Sequence, residues 1–99
     1  GTILKEDKTT KSTELSFEEQ KEINKEIKKA EKQVEELENK IADLEGKLAE
    51  MDKQLANPDN ADQNLYNEYE KIKRQLDQTM YEWELSNEQL EAWQNKKTW

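Results

Sequence analysis

The chain has no cysteine and no histidine. The first absence rules out a disulfide framework and gives no compartment signal beyond compatibility with a reducing cytosol. Together they remove the commonest thiol nucleophile, the commonest acid–base group and most transition-metal ligands. Proline occurs once and glycine twice, so long uninterrupted helices are allowed. Apolar residues make up only 31% of the 99 positions, which is too few for a compact globule of one domain. No apolar run approaches the roughly 20 residues of a membrane-spanning helix, and no signal peptide is visible. No glycine-rich phosphate loop is present, so the segment itself is expected to hold no nucleotide or other cofactor. What the chain has in excess is charge. Charged residues fill 40% of positions and the net charge is −8, which opposes nonspecific binding to phosphate but leaves room for a local basic patch.

The apolar residues that exist are placed with regularity. Ile23, Ile27, Ala30, Val34, Leu37, Ile41, Leu44, Leu48, Met51 and Leu55 follow one another in alternating steps of four and three. That is a heptad seam, which lets one helix bury a narrow stripe on another. We assign Ile27, Val34, Ile41, Leu48 and Leu55 to a positions, and Ile23, Ala30, Leu37, Leu44 and Met51 to d positions. A second seam runs through Leu65, Tyr69, Ile72, Leu76, Thr79, Trp83, Ser86, Leu90 and Trp93.

Between the seams lies Asn57-Pro58-Asp59-Asn60. Proline removes a donor and pushes the preceding residue out of the helical region, so the first helix must stop here. Upstream, Ser16-Phe17-Glu18-Glu19 matches a capping box, with Ser16 as N-cap and Glu19 reaching back. The predicted organisation is all-α. Residues 1–15 form a flexible, disordered linker and residues 16–99 an antiparallel two-helix coiled-coil hairpin. Helix 1 covers about 17–56, a hinge 57–61 and helix 2 about 62–96, with Asn60 or Asp62 as the second cap. A chain that starts in a linker is expected to be a piece of a longer one.

The two seams can be tested against each other. Folding the chain at position 60 sets Leu55 against Leu65, Met51 against Tyr69, Leu48 against Ile72 and Leu44 against Leu76. Further out, Ile41 meets Thr79, Leu37 meets Trp83, Val34 meets Ser86 and Ala30 meets Leu90. Each a faces a d, as antiparallel packing demands. Flanking charges agree: Glu45 would face Lys73, and Lys40 would face Glu82. Helix 1 alone also satisfies the rules of a parallel dimer, with β-branched residues at Ile27, Val34 and Ile41 and with Lys40 and Lys47 able to meet Glu45 and Asp52 of a partner. The monomeric hairpin is the leading reading because it uses the second seam; the dimer is its alternative.

Catalytic constellations are missing. Carboxylates are abundant but fall on solvated helix faces, and a helical pair offers no enclosed pocket to perturb them. The segment is therefore expected not to be an enzyme and to hold no metal. The candidate binding residues are basic: Lys21, Lys25, Lys28, Lys29 and Lys32 near the open end, with Lys96 and Lys97 returning to it. They read either as a nucleic-acid contact or as a solvated face with pairing to Glu22, Glu26 and Glu31. Lys71, Lys73 and Arg74 form a second small cluster. Trp83 and Trp93 belong to the seam, Tyr66 and Tyr81 flank it, and Trp99 lies beyond it.

Three stretches resemble a known family. Leu15-Ser16-Phe17 with Glu19 and Glu22 looks like the start of the C-terminal coiled-coil domain of ABC-F proteins of the Uup type. Leu55-Ala56-Asn57-Pro58-Asp59 is similar to that family's Leu-Ala-Asp-Pro hinge. Met80-Tyr81-Glu82-Trp83-Glu84-Leu85-Ser86, then Glu88 and Leu90, resembles its closing Met-x-x-Trp-Glu-x-Leu run. The likeness covers residues 15 to about 93. It implies the tail of a soluble, cytoplasmic protein with two ATP-binding cassettes and no membrane domain. ATP and magnesium would bind upstream, on the cassettes of the same chain. It also implies partners among DNA, ribosomal RNA and the ribosome. The alternative from the residues alone is a structural coiled coil for protein–protein contact or dimerisation.

Overall fold

In the computed structural model, residues 16–99 are described, and they form two long helices lying side by side. The expected linker over 1–15, and Leu15 of the first family-like stretch, lie outside the described residues. Helix α1 is Phe17–Leu55 and helix α2 is Gln63–Lys96. Their 39 and 34 residues correspond to rods of about 58 and 51 Å at 1.5 Å per residue.

Local chemistry sets the helix ends. Ser16 is the N-cap of α1, and its hydroxyl accepts from the Glu19 backbone N–H at 3.1 Å. The box closes differently from expectation. The Ser16 hydroxyl donates a hydrogen bond to the Glu19 carboxylate at 3.0 Å, so the reciprocal contact runs through the side chain. Glu18 and Glu19 sit in the first turn, where the positive end of the helix dipole favours them. In the connection, Asn60 N–H bonds Asn57 C=O at 3.0 Å and closes a four-residue turn with Pro58 at its second position. The Asn57 side chain accepts from the Asp59 N–H at 3.1 Å and reinforces that turn. Of the two cap candidates, Asp62 takes the role: its carboxylate accepts from Leu65 N–H at 2.8 Å. Helix α2 accordingly starts at residue 63, one later than the spacing suggested.

The seam closes as the folding test anticipates. Leu44, Met51 and Ile72 form a buried cluster, with Leu48, Leu65, Tyr69 and Leu76 packed against it. Every seam residue of both helices is buried or half-buried. Two polar pairings agree with that register. The Trp83 indole Nε1 donates to Glu38 Oε2 at 3.2 Å, and Tyr69 faces Asp52. Both pairs are centred between residues 60 and 61.

Burial is uneven around the seam. Ile23, Leu37, Leu44 and Met51 of α1 and Ile72, Thr79 and Ser86 of α2 are buried, and all occupy d positions. The a positions, Val34 excepted, are half-buried. In an antiparallel pair the a residues line the edge shared by the two e rows, so that edge is the more open one. Thr79 is the most buried side chain at 2% exposure, and its hydroxyl donates to the Gln75 carbonyl at 2.7 Å. A buried hydroxyl is thereby satisfied within its own helix. Gly46 lies at an outward f position, and a Cβ there would meet nothing within 4 Å.

Candidate nucleic-acid interface

The spacing of the open-end lysines determines where they point. Lys21, Lys25, Lys28 and Lys32 follow steps of four, three and four, so they stack along one outer face of α1. Lys29 stands beside them, rotated toward the opposite flank. All five are exposed. Over residues 17–32 the five lysines are matched by Glu18, Glu19, Glu22, Glu26 and Glu31, so the segment carries no net charge. The basic character is therefore segregation around the helix, not excess along it. Among the described residues none of these lysines closes an ion pair with a carboxylate. Their exposure suits a solvated face as well as a nucleic-acid contact.

Phe17 adds an aromatic at the head of this face. It is 79% exposed and lines a shallow groove with Gln20, Lys21, Asn24, Lys25 and Lys28. An exposed ring in a groove that three lysines also line is a surface on which a base or a second aromatic can stack. Nothing in the sequence pattern singled out Phe17, because as the first residue of α1 it reads as a capping neighbour.

Helix α2 returns Lys96 and Lys97 to the same end, opposite Asn24 and Ile23 in the folded register. Neither reaches into the Phe17 groove. Lys96 Nζ sits over the Trp93 ring at 4.3 Å from its centroid, and Lys97 Nζ over Trp99 at 5.6 Å. Trp99, beyond the seam, is 46% exposed. The seven candidate lysines thus gather at one end of the rod but form two sub-patches, a row on α1 and a pair stacked on indoles at the end of α2.

The second cluster is divided by the structure. Lys71 and Arg74 line a groove between the helices together with Lys40, Asp43 and Lys47 of α1, while Lys73 is not among its lining residues. Leu44 and Thr79 of the seam, and Gln75 and Gln78, complete it. The contribution of Lys40 and Lys47 was missed from the sequence, although folding the chain at position 60 brings Lys47 close to Lys71.

The opposite edge has the reverse sign. The e positions of α1 are Glu31, Glu38, Glu45 and Asp52, and the b positions of α2 are Glu70, Asp77, Glu84 and Glu91. Two of these carboxylates meet aromatic polar groups instead of cations. Hydrogen bonding to Asp52, and then the Asp52 charge, raise the Tyr69 phenol above its ordinary pKa of 10.0. The expected Glu45–Lys73 and Lys40–Glu82 ion pairs do not close; Glu82 accepts from Gln78 of its own helix at 3.3 Å. Across such an edge, an indole or phenol on the seam reaches a carboxylate more directly than a lysine whose head stays in water.

Among the described residues no group of three or more histidine, cysteine, aspartate or glutamate side chains could hold a metal ion, and no helix is long and apolar enough to cross a membrane. No family model, no curated protein and no solved structure matches the chain.

Proposed function

We propose that the chain is a non-catalytic accessory module, the C-terminal coiled coil of an ABC-F-type ATPase, which contacts nucleic acid or the ribosome through its open end. The observation that carries this reading is the row Lys21, Lys25, Lys28 and Lys32, exposed, unpaired and headed by exposed Phe17, on a chain of net charge −8. A cation row held at fixed spacing on a rigid helix suits a phosphate backbone, and binding of that kind is salt-dependent. The resemblance of the helix start, the Asn57-Pro58 turn and the Trp83 run to the Uup-type domain supplies the larger context. ATP, magnesium and the catalytic motifs would then belong to cassettes elsewhere in a cytoplasmic protein.

Titration of this chain against labelled duplex DNA and structured RNA, at low and physiological salt, tests it. Micromolar or tighter binding is expected, weakening steeply with salt and lost when Lys25, Lys28, Lys29 and Lys32 become glutamine. Absence of binding at low salt would refute it.

A second reading has its own observation. Met80, Tyr81 and Leu85 are 42%, 58% and 41% exposed on α2, and Tyr81 and Leu85 lie one turn apart. Exposed apolar residues so grouped suit protein–protein contact, either with a partner or with a second copy. Under that reading the mass in solution rises with concentration, and Tyr81→Ser with Leu85→Ser abolishes the rise.

A further inference from the structure

We infer that the groove at mid-rod, walled by Lys40 and Lys47 on α1 and by Lys71 and Arg74 on α2, is a second contact for a nucleic-acid backbone, distinct from the lysine row at the open end. The inference rests on the nucleic-acid reading above and deepens it, because it assigns a second site on the rod.

Four cations face a groove that holds a single carboxylate, Asp43. No ion pair is closed by any of the four among the described residues. In a chain with 24 acidic and 16 basic residues, a four-to-one cation majority in one groove is the reverse of the overall balance. The walls belong to different helices, so the charges meet only in the folded hairpin. The buried d-side of the seam, with Leu44 and Thr79 forming the floor, fixes the spacing between them. Lys40 and Lys47 stand two turns apart, about 10 Å along the axis. One strand of a duplex presents about three phosphate charges over that length. The amide of Gln75 offers a neutral donor beside the cations, which suits phosphate oxygens that accept several bonds each, while the Gln78 amide is engaged by Glu82 of its own helix. Arg74 adds a planar fork matched to two phosphate oxygens.

A duplex is the occupant that charge complementarity favours. The acidic edge of a second copy is the competing source of negative charge. Two of its carboxylates already serve Trp83 and Tyr69, and docking an edge into a groove would leave a free groove and a free edge at the ends of an open stack.

The test uses two double variants that change net charge equally. Lys40→Gln with Arg74→Gln takes one cation from each wall. Lys53→Gln with Lys73→Gln removes two exposed cations outside both patches. Each is titrated against a labelled 20-base-pair duplex across a series of salt concentrations, with helicity and mass checked for every protein. The groove variant is expected to lose about tenfold or more in affinity at low salt. Its log–log salt slope should fall by about 2, close to 0.9 for each phosphate contact removed. The control should lose less than about threefold and keep its slope. A groove variant indistinguishable from the control overturns the inference. If Lys25, Lys28, Lys29 and Lys32 changed to glutamine then still abolish binding, the open-end reading survives alone. If the unaltered chain binds no duplex at low salt, both fall. If its mass doubles and the groove variant restores the single-chain mass, the occupant is a second copy and the duplex is rejected.

Discussion

The two halves of the hairpin follow one heptad but fill it with different residues. Near the turn, Leu44, Met51 and Ile72 are buried together under Leu48, Leu65, Tyr69 and Leu76. Toward the open end, small Ala30 and Ser86 share the buried or half-buried layers with Ile23, Ile27, Val34, Trp83, Leu90 and Trp93. Hydrophobic stabilisation scales with apolar area removed from water, and in the turn half the buried side chains gather into one cluster. The open half exposes more chemistry: Phe17, the lysine row and the indoles under Lys96 and Lys97. A rod divided in this way anchors at one end and presents chemistry at the other.

That division can be broken by truncation. Leu44→Ala should cost about 2–4 kcal/mol, because it opens a cavity in the tightest cluster. Val34→Ala, opposite small Ser86, should cost about 1–2 kcal/mol. Urea unfolding followed by helical circular dichroism gives both values. Equal losses would show that the two halves contribute alike and would remove the basis of the comparison.

The caps sharpen the same contrast. Asp62 caps α2 beside the turn, where both helices meet, so Asp62→Ala should lower global stability by about 1 kcal/mol. Ser16 caps a first turn of α1 that extends past the end of α2 in the folded register. Ser16→Ala should therefore fray residues 17–23 in hydrogen exchange and shift the global midpoint little. A global loss from Ser16→Ala as large as that from Asp62→Ala would contradict this.

A smaller effect of opposite sign is expected at Gly46. Its outward position has open space for a methyl group, so Gly46→Ala should add about 0.5–1 kcal/mol in the same unfolding experiment. A loss of stability would mean that α1 bends there.

These contrasts also show what could be read from the chain alone. Period and complementarity were enough for the helices and their register, because an a–d seam has few ways to close and Pro58 permits one turn. The first cap followed from the chemistry of Ser16, and the second was narrowed to Asn60 or Asp62. Two things were not legible. Glu45 and Lys73 were paired by sign, but on that edge Glu38 accepts from the Trp83 indole and Asp52 faces the Tyr69 phenol, where side-chain reach decides. Lys71 and Arg74 looked like a local run until the fold set Lys40 and Lys47 across from them. Both misses are contacts between helices, where side-chain direction matters and spacing along one helix says little.

The repeated aromatic–carboxylate contact offers the finest test of the two halves. Trp83 on Glu38 belongs to the open half and Tyr69 facing Asp52 to the turn half, two heptads apart. Only the phenol can titrate. Its pKa in the folded chain is raised from 10.0, chiefly by hydrogen bonding to Asp52. Below the unfolded value the proton stays on in both states, and the contribution of the contact is intact. As pH rises past that value, the unfolded chain releases the proton first, so stability is lost up to the folded pKa. The difference between the unaltered chain and Tyr69→Phe isolates the contact. That difference should shrink as pH rises past about 10, while the corresponding difference for Trp83→Phe stays flat. Parallel alkaline limbs for the unaltered chain and Tyr69→Phe would mean that Asp52 does not hold the Tyr69 proton in solution.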